Sequence, residues 1–291
     1  MRTPLRFQGG ITRHLCRRTA EWHRRRFRQL VFSRKLAPGA PREVPFEIVS
    51  FSGSPGFEDQ VLSILSFTAY AGNPLKWTVY SDKSHSPEEK RRLAELFPFV
   101  SVEDWDVYPV YRNNRLIADY LGVCGLAMKL NILIGHPYRG QTFYVDSDIL
   151  FYRNISYYLE SPAIASGLWY VPDAMEDVPG YFSGEPRSIF ALNSGFLILN
   201  GEFDPRGIYR YLESRAGRYG YFTEQSAFEY AFAEQGARLL DPRQFIIDTT
   251  DQFRYGIKYH PADIAMRHYT SPVRHKIWQN GWQWHLKGLE Q

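Results

Sequence analysis

The sequence predicts an α/β protein in which helices flank a mostly parallel β-sheet. Two observations support this fold class. Short apolar strands alternate with helical segments along the first half of the chain. Segment 141–146 is also a near-continuous apolar run, typical of a strand that is buried on both faces of a parallel sheet. At 291 residues, with 44% hydrophobic and 23% charged residues, the chain is in the range of globular proteins with a sizeable core.

The elements follow a linker at residues 36–45, whose Pro and Gly residues exclude a helix. Strands are predicted at 46–51, 77–80, 100–103, 141–146 and 195–200. Helices are predicted at 58–70, 87–97, 121–134, 205–212 and 224–235, the second of them capped by Ser86 with Pro at its first position. From about residue 161 the pattern loosens into loops and an aromatic-rich tail, which indicates a C-terminal extension to the sheet.

The first 35 residues form a strongly basic leader. They contain ten Arg and one Lys against one acid, Glu21, a net charge of +10; the whole chain carries +4, which leaves 4 − 10 = −6 for residues 36–291. The leader is either a solvated tail or an amphipathic segment that lies on an anionic membrane surface. A nucleic-acid-binding arm is less expected, although such an Arg-rich, acid-poor start is also typical of a transit peptide.

The two cysteines, Cys16 and Cys124, lie far apart and fit no metal-binding spacing, which indicates a reducing compartment. No run of about 18 apolar residues is present, and the N-terminus lacks the apolar segment of a secretory signal. We therefore expect a cytoplasmic protein, either soluble or peripheral on the inner face of a membrane.

Two carboxylates close the apolar strand at 141–146. Asp146 and Asp148 are separated by one residue, and residues i and i+2 of an extended chain point the same way. Open α/β sheets bind ligands at the carboxyl ends of their strands, where this pair lies. Two carboxylates that face one point repel each other unless a cation lies between them, and oxygen ligands suit Mg²⁺ or Mn²⁺. The pair predicts a metal site, although Asp-Ser-Asp is also common in turns and helix caps.

With its flanking segments the chain resembles the GT-A glycosyltransferases, in particular glycosyltransferase family 8, the retaining group that includes glycogenin and bacterial galactosyltransferases. Four segments are similar to the family's motifs and occur in the family's order, at 127–132, 143–150, 192–200 and 268–278. The resemblance implies a Rossmann-like GT-A domain at 45–291 after a leader and linker at 1–44. Its nucleotide-sugar half would span about 45–150 and its acceptor half about 151–291.

The resemblance also implies a ligand set. Asp146, Asp148 and His268 would bind Mn²⁺ or Mg²⁺, which in the family holds the donor diphosphate. One imidazole with two carboxylates suits Mn²⁺, since Mn²⁺ accepts nitrogen more readily than Mg²⁺ does. Lys276 would contact the diphosphate, with Arg274 as the alternative if the alignment is shifted by two residues, and the adjacent residue 275 is a further alternative.

Four more residues are candidates, three through the resemblance and Ser52 through its position and its hydroxyl. Lys129 matches a basic residue that reaches the donor, and the amide of Asn193 would bind sugar hydroxyls. Gln225 matches the second residue of an Asp-Gln pair beside the anomeric carbon, although Glu224 stands in the first position here. Ser52, at the exit of the first strand, would bind a nucleoside, and UDP-sugar is the implied donor. Structural roles are open alternatives: an ion pair for Lys129, a turn for Asn193 and a helix start at 223–226.

The implied function is metal-dependent transfer of a sugar from a nucleotide-sugar to a glycan, lipid-linked or protein acceptor, with retention. Retention needs no dedicated base, because the leaving phosphate takes the acceptor's proton. Inversion needs a carboxylate near the acceptor hydroxyl, and Asp173, Glu176 and Asp177 offer three. A module that binds a nucleotide-sugar or a membrane without catalysis is a third interpretation.

Overall fold

A computed structural model describes residues 4–33, 36, 42–173, 192–200, 203–252, 254 and 256–286. The α-helices are α1 (Pro4–Phe32), α2 (Phe57–Tyr70), α3 (Pro87–Leu96), α4 (Val110–Asn113), α5 (Arg115–Leu121), α6 (Ala127–Gly135), α7 (Ile155–Leu159), α8 (Arg206–Ser214), α9 (Thr223–Glu234) and α10 (Trp282–Leu286). The strands are β1 (Glu43–Ser52), β2 (Asn73–Ser81), β3 (Val100–Asp104), β4 (Gln141–Val145), β5 (Ile149–Phe151), β6 (Trp169–Pro172), β7 (Leu192–Asn200), β8 (Arg238–Leu239), β9 (Phe245–Ile247) and β10 (Met266–His268). A 3₁₀ turn at Ser54–Gly56 and a π-helical turn at Ile277–Gly281 complete the elements.

Seven strands form the central sheet in the order β3-β2-β1-β4-β7-β6-β8. Strand β1 pairs in parallel with β2 and β4, and β2 pairs in parallel with β3. Strand β7 runs antiparallel to both β4 and β6, whereas β8 is parallel to β6. A second sheet has the order β5-β10-β9. The prediction of an α/β fold with a mostly parallel sheet is confirmed.

The apolar run at 141–146 is buried on both faces, as predicted. Phe143 and Tyr144 are adjacent on β4 and point to opposite faces of the sheet, and each lies in a different hydrophobic cluster. Phe143 packs on Phe46, with ring centroids 4.7 Å apart. The strand therefore joins two cores, which explains its lack of polar alternation.

The predicted helix at 121–134 is wrong in one respect, because two helices occupy this region. Helix α5 ends at Leu121 and α6 begins at Ala127. Gly122 and Gly125 lie in the intervening turn, and glycine has a low helix propensity. The break matters because it sets the direction of α6, which carries Lys129 to the end of β4.

The predicted cap of α3 is confirmed. The hydroxyl of Ser86 accepts a hydrogen bond from the backbone N–H of Glu89 at 3.1 Å, and the Glu89 carboxylate accepts one from the Ser86 N–H at 2.9 Å. This reciprocal pair satisfies two backbone donors that an uncapped helix leaves unpaired.

The second half of the basic leader packs as part of the folded body. Phe27 and Val31 of α1 are fully buried, and the Phe27 ring lies 5.1 Å from that of Trp278. Arg28 forms ion pairs with Glu58 at 2.6 Å and with Glu89, the acid of the α3 cap, at 2.8 Å. This part of the leader is therefore not a solvated tail. The division of the remaining chain into a nucleotide-sugar half and an acceptor half stays a prediction.

The opposite face of α1 is exposed. Leu15 and Trp22 are 58% and 57% exposed, and Arg18 and Arg25 lie with them at helical spacing on the same side. Among the described residues, no helix combines the length and the apolar character needed to cross a membrane.

Candidate functional site

The site forms where β4 ends beside the start of β7. The backbone N–H of Asp146 donates to the carbonyl of Gly195 at 2.8 Å, so β7 lies directly against the first acid. Strand β10 pairs with β5 and sets His268 opposite Ile149. Asp146, Asp148 and His268 each offer one ligand atom, and these atoms lie within 4.8 Å of one another. The structure thus brings the three predicted metal ligands together.

The imidazole of His268 is oriented by Asn193. The Asn193 Oδ1 accepts the Gly195 N–H at 2.9 Å and lies 3.0 Å from His268 Nδ1. Because that oxygen can only accept, Nδ1 carries a proton, and Nε2 is the ring nitrogen that faces the two acids. Nε2 lies 3.0 Å from Asp148 Oδ1 and 3.7 Å from Asp146 Oδ2. An imidazole fixed by a neighbouring oxygen, with two carboxylates, fits a divalent Mn²⁺ or Mg²⁺.

Asp148 is buried, and two cations balance its charge. The guanidinium of Arg274 donates from Nε to Asp148 Oδ2 at 2.9 Å. Burial alone raises the pKa of Asp148, but Arg274 and His268 outweigh it and hold that pKa well below its usual range. Burial lowers the pKa of His268, yet the Asp148 charge outweighs this effect and raises it. These two neighbours therefore favour the ionised form of Asp148.

Tyr144 and Lys129 hold the carboxylate of Asp146 in place. The Tyr144 hydroxyl donates to Asp146 Oδ1 at 2.6 Å, and the Lys129 ammonium lies 3.5 Å from the same oxygen. Lys129 also donates to the Ser194 carbonyl at 2.7 Å and lies 3.4 Å from Glu224 Oε1. Lys129 thus has the ion pair that was its structural alternative, and its contact with a donor stays a prediction. Tyr144 was absent from the sequence-based candidates, although its position two residues before Asp146 put it on the same face of β4.

Glu224 belongs to this buried network, since its carboxylate accepts the Ser194 hydroxyl at 3.0 Å. Burial raises the pKa of Glu224, and the Lys129 ammonium acts in the opposite direction. Glu224 therefore helps to fix Lys129 at the end of β4.

A pocket of about 340 Å³ opens beside the predicted metal ligands. Five of the predicted site residues line it, namely Lys129, Asp146, Asn193, Gln225 and His268. Its wall also includes Tyr221 and Phe222, two aromatic residues that sequence reasoning did not single out.

Gln225 and Asp173 meet in the pocket wall. The Gln225 amide donates from Nε2 to Asp173 Oδ2, and both side chains are buried. Asp173 is one of the three acids predicted as candidate bases. The other two, Glu176 and Asp177, lie outside the described residues.

Lys276 is not brought to the acids. Its ammonium is buried and donates to the carbonyls of Arg254 at 2.7 Å and Asp251 at 3.1 Å. It also lies 3.5 Å from the Asp251 carboxylate. Arg274, the residue of the shifted alignment, lies beside Asp148 instead.

Ser52 lies at the carboxyl end of β1, next to Phe51, which lines the pocket. Its side chain is buried, and its hydroxyl has no hydrogen-bond partner among the described residues. A buried hydroxyl without a partner is costly, so a ligand that bonds it would gain affinity.

Comparison with known proteins gives the fold. The galactosyltransferase LgtC, in complex with donor and acceptor sugar analogs, matches with a TM-score of 0.58 and 13% identity over 84% of this chain and 95% of that chain. Mouse xyloside xylosyltransferase 1 matches with a TM-score of 0.51 and 14% identity over 79% of this chain and 99% of that chain. The chain has the GT-A glycosyltransferase fold.

The glycosyltransferase GlyE of Streptococcus pneumoniae TIGR4 shares this GT-A fold, with a TM-score of 0.51 and 13% identity over 84% of this chain and 60% of that chain. No family model and no curated protein sequence matches the chain. The likeness therefore lies in the fold, and the prediction of a GT-A fold is confirmed.

Proposed function

We propose that the protein is a metal-dependent glycosyltransferase of the hexosyltransferase type. The observation that carries this proposal is the cluster of Asp146, Asp148 and His268 in a GT-A fold, beside a pocket that Asp146 and His268 line. The substrates are a nucleotide-sugar donor and a glycan, lipid-linked or protein acceptor. The donor and acceptor sugar analogs bound to LgtC support both substrate classes.

A metal bound by these residues would act on the leaving group. Mn²⁺ or Mg²⁺ held by Asp146, Asp148 and His268 supplies Lewis-acid stabilisation of the diphosphate. Asn193 keeps His268 in the tautomer that presents Nε2. Arg274 is the nearest candidate for a direct contact to the diphosphate, because its planar guanidinium suits phosphate oxygens.

The nucleobase of the donor lies towards β1 in this proposal. The hydroxyl of Ser52, which has no partner in the described part of the chain, and the carboxyl end of the parallel strand support a nucleoside at that edge of the sheet. UDP-sugar is the donor that the resemblance to family 8 favours.

The transferred sugar occupies the pocket between Lys129, Asn193 and Gln225. With retention, the leaving phosphate accepts the proton of the acceptor hydroxyl, so no carboxylate base is required. The Gln225 amide then lies near the anomeric carbon and stabilises the positive charge that develops there.

One observation favours an inverting alternative. Asp173 lines the same pocket, and its carboxylate is held by Gln225. A carboxylate within reach of the acceptor hydroxyl is what an inverting reaction needs. In that case Asp173 is the base and Gln225 positions it.

A peripheral site on the cytoplasmic face of a membrane is part of the proposal. The exposed face of α1 combines Leu15 and Trp22 with Arg18 and Arg25. Apolar and aromatic side chains among arginines suit an anionic lipid surface, where a lipid-linked acceptor is also found. No nucleic-acid role is proposed.

The test is hydrolysis of a panel of UDP-sugars, with and without Mn²⁺, followed by transfer to an acceptor array. We expect one UDP-sugar to be cleaved only with metal, and the Asp148→Asn variant to be inactive. Equal cleavage by the wild type and this variant would reject the metal-dependent reaction. Metal-dependent nucleotide-sugar binding without turnover on any acceptor would indicate the non-catalytic module.

A further inference from the structure

A second pocket, of about 400 Å³, lies between α1 and segment 271–278. Arg17 and Arg24 line it from the helix, and Arg274 lines it from the segment. Ser271 lines this pocket and also the one beside the metal ligands, so the two pockets are neighbours. The pocket therefore joins the leader helix to the site.

The acids of this pocket are already engaged. Glu21 pairs with Arg25 at 3.2 Å. Asp59 accepts the indole N–H of Trp278 at 2.7 Å and lies 3.9 Å from both Arg24 and Arg274. Two of the three guanidinium groups are engaged as well, because Arg24 pairs with Glu58 at 3.0 Å and Arg274 donates to Asp148 at 2.9 Å.

Arg17 is the least compensated of these cations. It is exposed, and it forms no ion pair with any other described residue. Burial lowers the pKa of the neighbouring His275, and the positive charges of Lys276 and Arg17 act in the same direction. Arg17 is therefore the guanidinium of this pocket that has no acid partner among the described residues.

The packing of α1 against the rest of the chain does not require the side chain of Arg17. The helix is held by the buried side chains of Phe27 and Val31 and by the ion pairs of Arg24 and Arg28. Arg17 lies two turns before Arg24 on the side of the helix that faces the pocket. Arg17 is therefore not needed to hold α1 in place, and its charge is available to bind an anionic ligand.

We infer that this second pocket binds a phosphate or diphosphate group of a substrate, with Arg17 of the leader helix as one of its ligands. Guanidinium groups bind phosphate oxygens through two parallel hydrogen bonds, which makes Arg a suitable residue here. The group belongs either to the donor nucleotide or to a phosphate on the acceptor. The identity of the substrate rests on the proposed function, whereas the binding of phosphate does not.

The first experiment is calorimetric titration of the full chain with pyrophosphate in EDTA, so that no metal contributes. Arg17→Gln is compared with Arg18→Gln, which removes the same charge from the next residue, an exposed position that does not line the pocket. We expect Arg17→Gln to weaken binding about fivefold and Arg18→Gln to change it by less than about twofold. Equal losses in the two variants, or no binding by the wild type, would overturn the inference.

A second titration, with UDP in Mn²⁺, separates the two sources. Weaker UDP binding in Arg17→Gln assigns the pocket to the donor diphosphate. Unchanged UDP binding, with pyrophosphate still bound at saturating UDP and Mn²⁺, assigns it to a phosphate on the acceptor. If pyrophosphate binds through Arg17 but no UDP-sugar is cleaved, the proposed function fails and the phosphate pocket stands.

Discussion

The imidazole of His268 lies against the backbone of Gly195, so closely that a β-carbon on residue 195 would stand 2.3 Å from His268 Cε1. The same β-carbon would stand 2.9 Å from Asn193 Oδ1. Residue 195 must therefore be glycine for the imidazole of His268 and the amide of Asn193 to occupy their places. The Asn-Ser-Gly segment acts as one unit, in which Gly195 provides both the N–H that fixes Asn193 and the space that His268 fills.

We predict that Gly195→Ala weakens metal binding while the fold is retained. The added methyl group displaces the His268 ring, and disturbing a residue that orients a ligand typically costs about 10- to 100-fold in metal affinity. Mn²⁺ titration followed by electron paramagnetic resonance measures the change. Gly125→Ala is the control, since a β-carbon there meets nothing within 4 Å. Equal Mn²⁺ affinity in the two variants would contradict the assignment of His268 as a ligand.

Asp146→Asn and Asp148→Asn should each remove most activity without unfolding the chain. A neutral amide does not balance the metal charge, and in the second variant Arg274 also loses its partner. Steady-state rates and Mn²⁺ titration are the measurements, with Asp119→Asn on an exposed surface of α5 as the matched control. Near-wild-type turnover of either purified variant in Mn²⁺ would remove the metal site from the proposal.

Local patterns were enough to predict much of the sheet and the acidic end of β4. The i, i+2 spacing of Asp146 and Asp148 on an apolar strand depends on few neighbours, so it can be inferred from the sequence. The position of His268 depends on the pairing of β10 with β5, across 120 residues of chain, and no local pattern reports that contact. Only the resemblance to family 8 suggested it.

The directions of the two cations in segment 271–278 could not be predicted for the same reason, because tertiary contacts set them. Arg274 and Lys276 are two residues apart in a chain of turns, where the direction of each side chain follows from tertiary packing rather than from a regular period. The structure directs Arg274 to Asp148 and Lys276 into a buried ring of carbonyls. Likewise, the ragged apolar positions of the leader did not predict that Phe27 is buried against Trp278.

Stability should fall as the pH falls below about 6.5, partly because of His285. Burial lowers the pKa of His285 to about 3 from the ordinary 6.5, and neither ring nitrogen has a hydrogen-bond partner among the described residues. Between these values the unfolded chain binds a proton that the folded chain does not, so acid favours unfolding by about 1.4 kcal/mol per pH unit.

The variant His285→Phe removes this effect and keeps the aromatic contacts with Tyr70 and Tyr152. Relative to the wild type, it should gain about 2 to 3 kcal/mol of unfolding free energy on going from pH 7.5 to pH 4.5. Urea unfolding at several pH values gives the two curves. Parallel curves would show that His285 is not kept neutral in the folded chain.

Binding to anionic vesicles should depend on the exposed face of α1. Removing the leader would uncover Trp278, so substitutions are the cleaner test. Arg18→Gln with Trp22→Ser should weaken binding to phosphatidylserine vesicles by about fivefold or more, and added salt should weaken the wild type. The control is Arg115→Gln with Tyr157→Ser, two exposed positions outside α1. Equal vesicle binding by both double variants would exclude this face as the membrane contact.

The last prediction separates retention from inversion through the pair of Gln225 and Asp173. With retention, Gln225→Ala should lower turnover by about 10- to 1000-fold, or about 1.4 to 4 kcal/mol of transition-state stabilisation, with little change in donor affinity. Asp173→Asn should then keep most of its activity, because the leaving phosphate takes the proton and an amide still fills the position beside Gln225. With inversion the order is reversed: Asp173→Asn is nearly inactive, and its activity no longer depends on pH as the wild type's does. NMR of the product decides independently, since a β-linked product from an α-linked donor would exclude retention and assign the base to Asp173 or to one of the acids at 176–177.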